Sequence, residues 1–340
     1  MIAIPVTEAS QIAEARRQCV ATAHNASFDE ADSGRVAIVA TELATNLLKH
    51  GRGGEILVSP FDDATEKGIE VVALDKGPGI AHLAEALRDG HSTAGTPGTG
   101  LGAVIRQSHS HDLYTGPGLG TVVLTRLQSG RLPSRKAPAA MPPWGVVCLP
   151  KPGEEAHGDG WAAANLPGTG QVLMVADGLG HGAGAAAASA EAVRIFTKQA
   201  SEPPGAIVQA IHNGLRSTRG AAVAVARLDQ PRGAAIFAGL GNITAALFAG
   251  TAGSGPRRMV SQNGTAGHVA QRIKEFEYPF SPREPGLLIM HSDGIGSGWS
   301  LDRYPGLAGA HPVLIAAVLY RDFNRGRDDA TVLVAKFGAS

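Results

Sequence analysis

The stretch VLMVADGLGHGAG, residues 172–184, decides the fold of the C-terminal half of the chain. An apolar run ended by glycines is typical of a buried strand that stops at a tight turn. Asp177 stands at the end of this strand, where its carboxylate is held rigidly beyond the sheet edge. The later stretch LLIMHSDGIG repeats the pattern and places Asp293 after a second apolar run. Two such strand ends indicate a shared cation, although either Asp-Gly pair alone is a common turn.

The composition is that of a globular protein without a charged footprint. Hydrophobic residues make up 44% and charged residues 18% of the 340 residues, and the formal net charge is zero. This length favours about two domains, and the charge balance argues against a nucleic-acid-binding protein. Cys19 and Cys148 lack metal-ligand spacing, which favours a reducing compartment. No apolar run approaches the ~20 residues that span a bilayer, so we expect a cytoplasmic protein without a membrane partner.

A proline-rich segment divides the chain into two predicted domains. Residues 129–143 carry four prolines and three basic residues without apolar periodicity, which is typical of a linker. The predicted domains therefore cover residues 1–128 and 144–340. In the second domain long runs of sequential strands alternate with few helices, which predicts a mixed α/β fold with largely antiparallel sheets.

Three polar and glycine-rich stretches follow one another in the first domain. The first lies on a helix predicted over residues 29–50, where Glu42, Asn46 and Lys49 share one face beside the apolar stripe. A solvated polar face is the alternative interpretation. The second stretch, residues 75–79, begins with an aspartate at the end of a predicted strand. The third, residues 98–102, opens a helix with glycines whose backbone N–H groups can approach an anion.

In this order the three stretches resemble the N, G1 and G2 boxes of the GHKL ATPase family, and most of all its anti-sigma and RsbT-like serine kinases. The resemblance implies a two-layer α/β sandwich that binds ATP and Mg²⁺. Asn46 would hold the Mg²⁺ and Asp75 would accept a hydrogen bond from the adenine amino group. Glu42 would act as general base, and Lys49 would reach a phosphate or remain solvated. The remaining nucleotide-binding positions would be Gly77, Gly79, Gly98, Thr99, Gly100, Leu101 and Gly102.

Aspartates recur at predicted strand boundaries in the second domain. They are Asp159, Asp177, Asp293 and either Asp328 or Asp329. Hard divalent cations such as Mg²⁺ and Mn²⁺ prefer oxygen ligands, and two cations roughly 3.5–4 Å apart can share one bridging carboxylate. Because these carboxylates would repel one another without a cation, a metal site explains them better than a structural role does.

These aspartate motifs resemble the metal-dependent type-2C (PPM) protein phosphatases, and more narrowly their SpoIIE and RsbX-like branch. The motifs are Gly-Asp159-Gly-Trp, Asp177-Gly-x-Gly-His-Gly, Ser-Asp293-Gly and Asp328-Asp329-Ala-Thr. The resemblance covers residues 146–337 and implies an α-β-β-α sandwich of antiparallel sheets with two Mn²⁺ or Mg²⁺ ions.

The same resemblance implies a role for each motif residue. Asp177 would bridge both metals as the catalytic carboxylate, and Gly178 would offer its backbone carbonyl. Asp159 would serve one metal, and Asp293 and Asp328 the other. His181 would be either a general acid or a structural hydrogen-bonding residue. The early arginine that holds phosphate in other type-2C enzymes has no counterpart in the sequence.

Together the two halves predict a bifunctional regulator of a partner-switching signalling system. It would combine an ATP-dependent serine/threonine kinase with a Mn/Mg-dependent phosphoserine/phosphothreonine phosphatase. The resemblance implies a STAS-domain (anti-sigma antagonist) substrate, with a sigma factor or stress-signalling complex as a further partner. In the alternative interpretation the N-terminal domain is a non-catalytic ATP- and partner-binding (anti-sigma) module. A metabolic phosphohydrolase is a third interpretation, for which the sequence shows no substrate pocket.

Overall fold

A computed structural model describes residues 1–62, 67–83, 100–130, 142–249 and 255–338. The chain forms two compact units. Unit 1 comprises Met1–Pro142 and Leu301–Arg321, and unit 2 comprises Pro143–Ser300 and Asp322–Ser340. The domain bounds drawn from the sequence stay a prediction, and residues 131–141 of the predicted linker lie outside the described part of the chain. None of the described helices is long and apolar enough to cross a membrane.

Unit 1 is built on one antiparallel five-stranded sheet. Its strands are β1 (Ile2–Val6), β2 (Gly54–Asp62), β3 (Lys67–Asp75), β4 (Ser110–Thr115) and β5 (Thr121–Gln128), in the order β1-β2-β3-β5-β4. The helices described in Met1–Pro142 are α1 (Ser10–Asn25), α2 (Glu30–Lys49) and α3 (Gly100–Gln107). Strand β1 was not predicted, because its five residues include Pro5 and its partner β2 lies about fifty positions later.

Helix α2 confirms the apolar stripe read from the sequence. Val36, Val39 and Leu43 are buried in one core with Ile69 and Val71 of β3. Because side chains alternate along a strand, these odd-numbered residues of β3 face the helices. Asp29 begins α2, since its side chain accepts a 2.7 Å hydrogen bond from the backbone N–H of Asp32. The result is a helical layer on one face of the sheet.

Unit 2 contains two antiparallel five-stranded sheets. Their orders are β13-β10-β9-β8-β7 and β12-β11-β14-β15-β6. The strands are β6 (Trp144–Leu149), β7 (Asp159–Leu166), β8 (Gly170–Gly178), β9 (Ala221–Asp229), β10 (Ala234–Leu240), β11 (Thr244–Phe248), β12 (Arg257–Met259), β13 (Phe276–Pro279), β14 (Gly286–His291) and β15 (Ala330–Phe337). Two helices of unit 2 are α4 (Ala183–Gln199) and α5 (Pro204–Gly214). The prediction of largely antiparallel sheets is confirmed.

Strand β8 connects the layers of unit 2. Leu173 and Val175 face the second sheet, in a core with Met290 of β14. Val172 and Met174 point the other way and pack with Phe196 and its neighbours on α4 and α5. Full burial of one such side chain stabilises the fold by about 1.5–3 kcal/mol. The apolar run before Asp177 is therefore buried on both faces, which fixes the end of the strand.

Helix α6 (Pro312–Phe323) is the last α-helix along the described part of the chain. Its residues up to Arg321 belong to unit 1, together with the preceding segment from Leu301. This segment is tied to β4, because the Asp112 carboxylate accepts a 2.8 Å hydrogen bond from the backbone N–H of His311. Unit 1 therefore combines the N-terminal part of the chain with a segment from far along the sequence.

Candidate nucleotide and metal sites

The predicted N-box residues lie where the helix pattern placed them. Glu42 and Asn46 are half-buried on α2, whereas Lys49 is exposed. Asn46 faces the start of α3, since a Cβ built on Gly100 would stand 4.0 Å from its Oδ1 atom. Leu101 and Gly102 are buried in the first turn of α3. Gly98 and Thr99 lie outside the described residues.

Asp75 ends β3 and anchors the turn that follows. Its Oδ1 atom accepts hydrogen bonds from the backbone N–H groups of Gly77 at 2.8 Å and Thr121 at 3.1 Å. The residue is 8% exposed. Burial raises the pKa of this carboxyl, and the two backbone hydrogen bonds oppose that rise. Thr121 was not found from the sequence, because it comes from β5 and no local pattern connects it to Asp75.

Glycines let this turn pack against the end of α2. A Cβ on Gly77 would come within 2.9 Å of both Gly51 Cα and the carbonyl oxygen of His50. At Gly79, where φ is +76°, a Cβ would stand 2.0 Å from the carbonyl oxygen of Gly116. No larger residue fits at either position without moving the backbone. The structure therefore brings the first two predicted boxes together where β3 and α2 end.

Asp159 and Asp177 are direct cross-strand partners in unit 2. Asp159 begins β7 and Asp177 lies near the end of β8, where the two residues pair in register. The sequence placed Asp159 at a strand boundary next to a turn, and in the structure it is the first residue of β7. Opposed residues of this kind have Cβ atoms roughly 4.5–5.5 Å apart, and two like charges there destabilise the sheet.

The remaining aspartates of the cluster lie at strand ends of the second sheet. Asp293 follows β14, and Asp328 and Asp329 precede β15. The two strands pair with His291 opposite Val332, so the end of one lies beside the beginning of the other. The carboxylates of Asp293, Asp328 and Asp329 lie close enough to Asp177 that each of them raises its pKa. The structure thus collects at one place the aspartates that the sequence predicted as a set.

Burial and mutual repulsion dominate the electrostatics of this cluster. They raise the pKa of Asp177 to about 8, burial first and then the charges of its neighbours, beginning with Asp159 and Asp293. Burial also raises the pKa of Asp159 to about 7, although hydrogen bonds from Ser292 and Thr331 oppose the rise. The Oδ2 atom of Asp159 is buried, and none of the described residues forms a hydrogen bond with it. Such an orphaned, negatively charged oxygen is costly unless a cation or proton meets it.

The donor set fits a hard divalent cation. Among the described residues no three His, Cys, Asp or Glu side chains converge as a finished ligand set. The buried Oδ2 atom and the mutual repulsion are both relieved by a positive charge. Asp177, Asp159, Asp293 and Asp328 are the side chains suited to hold it.

Gly178 and Asp329 are motif residues that contact the backbone of neighbouring segments. A Cβ on Gly178 would stand 2.3 Å from the carbonyl oxygen of Ala185, so only glycine fits between β8 and α4. The buried Asp329 carboxylate accepts hydrogen bonds from the backbone N–H groups of Lys151 at 2.8 Å and Gly158 at 3.0 Å. Asp329 therefore holds two loops beside the cluster through hydrogen bonds. Of the pair, Asp328 remains the predicted metal ligand.

A cavity of about 380 Å³ opens over this cluster. Its walls include three of the predicted ligands, Asp177, Asp293 and Asp328, together with His181, Asn242, Lys151 and Arg327. The side-chain amide of Asn242 donates a 2.9 Å hydrogen bond to Asp293 Oδ2. Lys151, Asn242 and Arg327 were not predicted, because they come from separate loops that carry no shared motif. Lys151 and Arg327 bring two positively charged side chains to an otherwise acidic cavity, and Asn242 brings an amide donor.

His181 is exposed at the wall of this cavity. Its Nδ1 atom lies 2.8 Å from Glu154 Oε1. The backbone carbonyl of His181 accepts a 3.4 Å hydrogen bond from Arg219. A carboxylate at Nδ1 orients the ring and directs the other ring nitrogen, Nε2, away from it. The sequence left open whether His181 is a general acid or a structural residue, and this geometry is compatible with both roles.

Comparison with known proteins separates the chain into two matching regions. Residues 4–126 match the histidine kinase-like ATPase domain, and residues 167–338 match the family described as Stage II sporulation protein E (SpoIIE). The serine/threonine-protein kinase RsbT of Bacillus subtilis (strain 168) is 33% identical over 96 residues, which are 28% of this chain and 72% of that protein.

Two solved structures resemble the chain over a little more than half of its length. One, described as "The bacterial stressosome: a modular system that has been adapted to control secondary messenger signaling", is 28% identical with a TM-score of 0.51, over 56% of this chain and 97% of that chain. A structure of RsbX in complex with magnesium is 19% identical with a TM-score of 0.47, over 57% and 94% of the two chains. The chain therefore belongs to the SpoIIE family through residues 167–338, and residues 4–126 add an RsbT-related domain of the histidine kinase-like ATPase type.

Proposed function

We propose that unit 2 is a metal-dependent protein phosphatase that acts on phosphoserine or phosphothreonine. The observation that carries this proposal is the in-register pair of Asp159 and Asp177 in a buried cluster of aspartates. Membership in the SpoIIE family supports it. Two Mn²⁺ or Mg²⁺ ions would occupy the cluster, held by the side chains of Asp177, Asp159, Asp293 and Asp328 and the carbonyl of Gly178.

The chemistry follows from the charges around the cavity. When bound, the cations neutralise charge on the phosphoryl oxygens and lower the pKa of water. Lys151 and Arg327 add positive charge beside three carboxylates and bind the phosphoryl oxygens, for which a guanidinium is suited by its planar fork. His181, oriented by Glu154, donates a proton from Nε2 to the leaving serine or threonine oxygen.

For unit 1 we propose ATP-dependent phosphorylation of a serine or threonine on the same partner. Asn46 would hold the Mg²⁺, Asp75 would bind the adenine amino group, and Glu42 would take the proton from the attacking hydroxyl. The relationship to a protein described as a serine/threonine-protein kinase supports this assignment. The partner would be a STAS-domain protein of the anti-sigma antagonist type. One chain would then control one phosphoprotein in both directions, as a regulator of partner switching.

The phosphatase proposal is tested with a phosphorylated STAS-domain protein and Mn²⁺. We expect the wild-type chain to release inorganic phosphate and the D177N variant to release none. Asp62 is an exposed aspartate of unit 1 that pairs with Lys67, so D62N is the matched control and should retain full activity. Equal phosphate release by D177N and D62N would refute the assignment of the metal cluster.

The kinase proposal is tested by transfer of labelled phosphate from ATP to the unphosphorylated partner. We expect transfer by the wild-type chain and by N25A, whose side chain is exposed at the end of α1, and none by N46A. The alternative, in which unit 1 only binds ATP and a partner, makes a different prediction for Glu42. If E42A preserves all output in cells while N46A abolishes it, unit 1 acts as a sensor and not as a kinase.

A further inference from the structure

The nucleotide site of unit 1 is completed by a residue that none of the three boxes contains. Arg321 lies near the end of α6 and is 9% exposed. Its Nη1 atom donates a 2.8 Å hydrogen bond to the backbone carbonyl oxygen of Asp75, although 246 positions separate the two residues. Both residues belong to unit 1. A buried guanidinium thus reaches the main chain of the residue that is proposed to bind adenine.

Gly120 makes this contact possible. A Cβ on Gly120 would stand 2.1 Å from the carbonyl oxygen of Asp75 and 2.8 Å from Nη1 of Arg321. The φ angle of Gly120 is +70°, which also favours glycine. The loop before β5 therefore leaves a gap through which the guanidinium reaches Asp75.

The segment that carries Arg321 is held by further contacts within unit 1. Asp112 accepts the backbone hydrogen bond of His311, and the carbonyl of Pro305 accepts a 3.4 Å hydrogen bond from the hydroxyl of Tyr114. Tyr320 is hydrogen-bonded to Glu55, a bond that favours the ionised carboxyl. These contacts fix the position from which the Arg321 side chain extends.

Hydrogen bonds consequently fix both the backbone and the side chain of Asp75. Arg321 holds its backbone oxygen, while the N–H groups of Gly77 and Thr121 hold Oδ1. Among the described residues none donates a hydrogen bond to the Oδ2 atom of Asp75, so this atom can accept one from a ligand. The positive charge of Arg321 also opposes the effect of burial on the pKa of Asp75, which favours the ionised acceptor.

We propose that Arg321 is a positioning residue that makes the nucleotide site selective for adenine over guanine. This inference rests on the proposed ATP binding by unit 1. An ionised Asp75 accepts a hydrogen bond from the exocyclic amino group of adenine, whereas the corresponding oxygen of guanine is an acceptor and is repelled. Loss of Arg321 frees the main chain of Asp75 and weakens the preference for the ionised form, so discrimination between the two bases falls.

The test compares ATP and GTP affinities of the full chain by calorimetry. R321M keeps an unbranched, flexible side chain, shorter than that of arginine, and removes the charge and the donors. We expect R321M to lose about tenfold or more in ATP affinity, or about 1.4 kcal/mol, with a smaller change for GTP. The matched control is R303M, since Arg303 is an exposed arginine of the same segment. It should retain the wild-type affinities and the wild-type ATP:GTP ratio.

The outcomes separate this inference from the proposed function. A wild-type chain that binds neither nucleotide refutes ATP binding and, with it, the role of Arg321. A wild-type chain that prefers ATP, beside an R321M variant with the same ATP:GTP ratio, refutes the role of Arg321 alone, even if R321M is less stable. If R321M does not fold, R321Q takes its place, because it retains a donor while losing the charge. An unchanged ratio in R321Q would equally overturn the proposal.

Discussion

The aspartate cluster predicts that the metal-free protein is destabilised by the buried carboxylate of Asp177. The carboxyl of Asp177 has a pKa of about 8 in the folded chain and about 3.9 in the unfolded chain. Between these values the folded state binds more protons than the unfolded state, so the free energy of unfolding falls as pH rises. Asn at this position is neutral throughout and removes the contribution. D177N should therefore stabilise the metal-free protein in the upper part of this range.

The size of the effect follows from the same two pKa values. Each pH unit between them changes the free energy of unfolding by about 1.4 kcal/mol. At about pH 8 the carboxyl of Asp177 is half-ionised in the folded chain. The free energy of unfolding therefore changes by about 2 kcal/mol from about pH 6 to about pH 8. We expect the stability of D177N relative to wild type to increase by about this amount over that interval. Asp159 remains in the variant, so part of the pH dependence persists.

Urea unfolding in the presence of a chelator measures this difference. All three tryptophans, Trp144, Trp161 and Trp299, lie in unit 2, so tryptophan fluorescence follows that unit. D329N is the control, because Asp329 accepts two backbone hydrogen bonds and its replacement should destabilise unit 2 at both pH values. If the difference between D177N and wild type does not grow from about pH 6 to about pH 8, the attribution to a repelled, buried carboxylate is wrong.

Three further variants test other parts of the structure. R327A should raise KM for a phosphorylated substrate about tenfold or more while leaving Mn²⁺ affinity unchanged by calorimetry, whereas the exposed R283A should change neither; an unchanged KM in R327A would exclude phosphate binding by this residue. G178A should lower the urea midpoint of unit 2, with a cost of about 1–3 kcal/mol or more, because the added methyl group meets a backbone carbonyl; a wild-type midpoint would contradict the close packing. E70Q should destabilise unit 1 by about 3–5 kcal/mol, since Glu70 and Arg126 form a buried 2.8 Å ion pair; circular dichroism follows both units and tryptophan fluorescence follows unit 2, so comparing the two separates the transition of unit 1, and a wild-type transition would show that the pair contributes little.

The sequence predicted those parts of the molecule that depend on local pattern. Helix α2 could be predicted because its apolar stripe and its terminating glycines lie within one continuous segment. The strand before Asp177 could be predicted because it is buried on both faces and uniformly apolar. Asp159 was recognised as a candidate ligand at a strand boundary, but the strand β7 that it begins was not predicted, because the small residues that follow it give no strand alternation.

The partners of the site residues could not be predicted in the same way. Lys151, Arg327 and Arg321 have no local motif, and each reaches its site through tertiary structure formed by distant segments. The cross-strand register of β7 and β8 likewise depends on the whole sheet. The sequence therefore predicted which carboxylates belong together, whereas the surrounding cations and hydrogen-bond donors required coordinates.

The division of the chain into units has a consequence for dissecting the protein. Unit 1 is discontinuous, because Leu301–Arg321 completes it after the chain has formed most of unit 2. A protease site engineered within residues 131–141 would therefore cut unit 1 into two pieces instead of releasing it intact. We expect the two fragments to co-elute after cleavage, and an N-terminal fragment produced alone to expose the surface that the missing segment covers. A gene truncated at the apparent linker would thus encode residues 4–126, which match the ATPase domain, without the Leu301–Arg321 segment of unit 1.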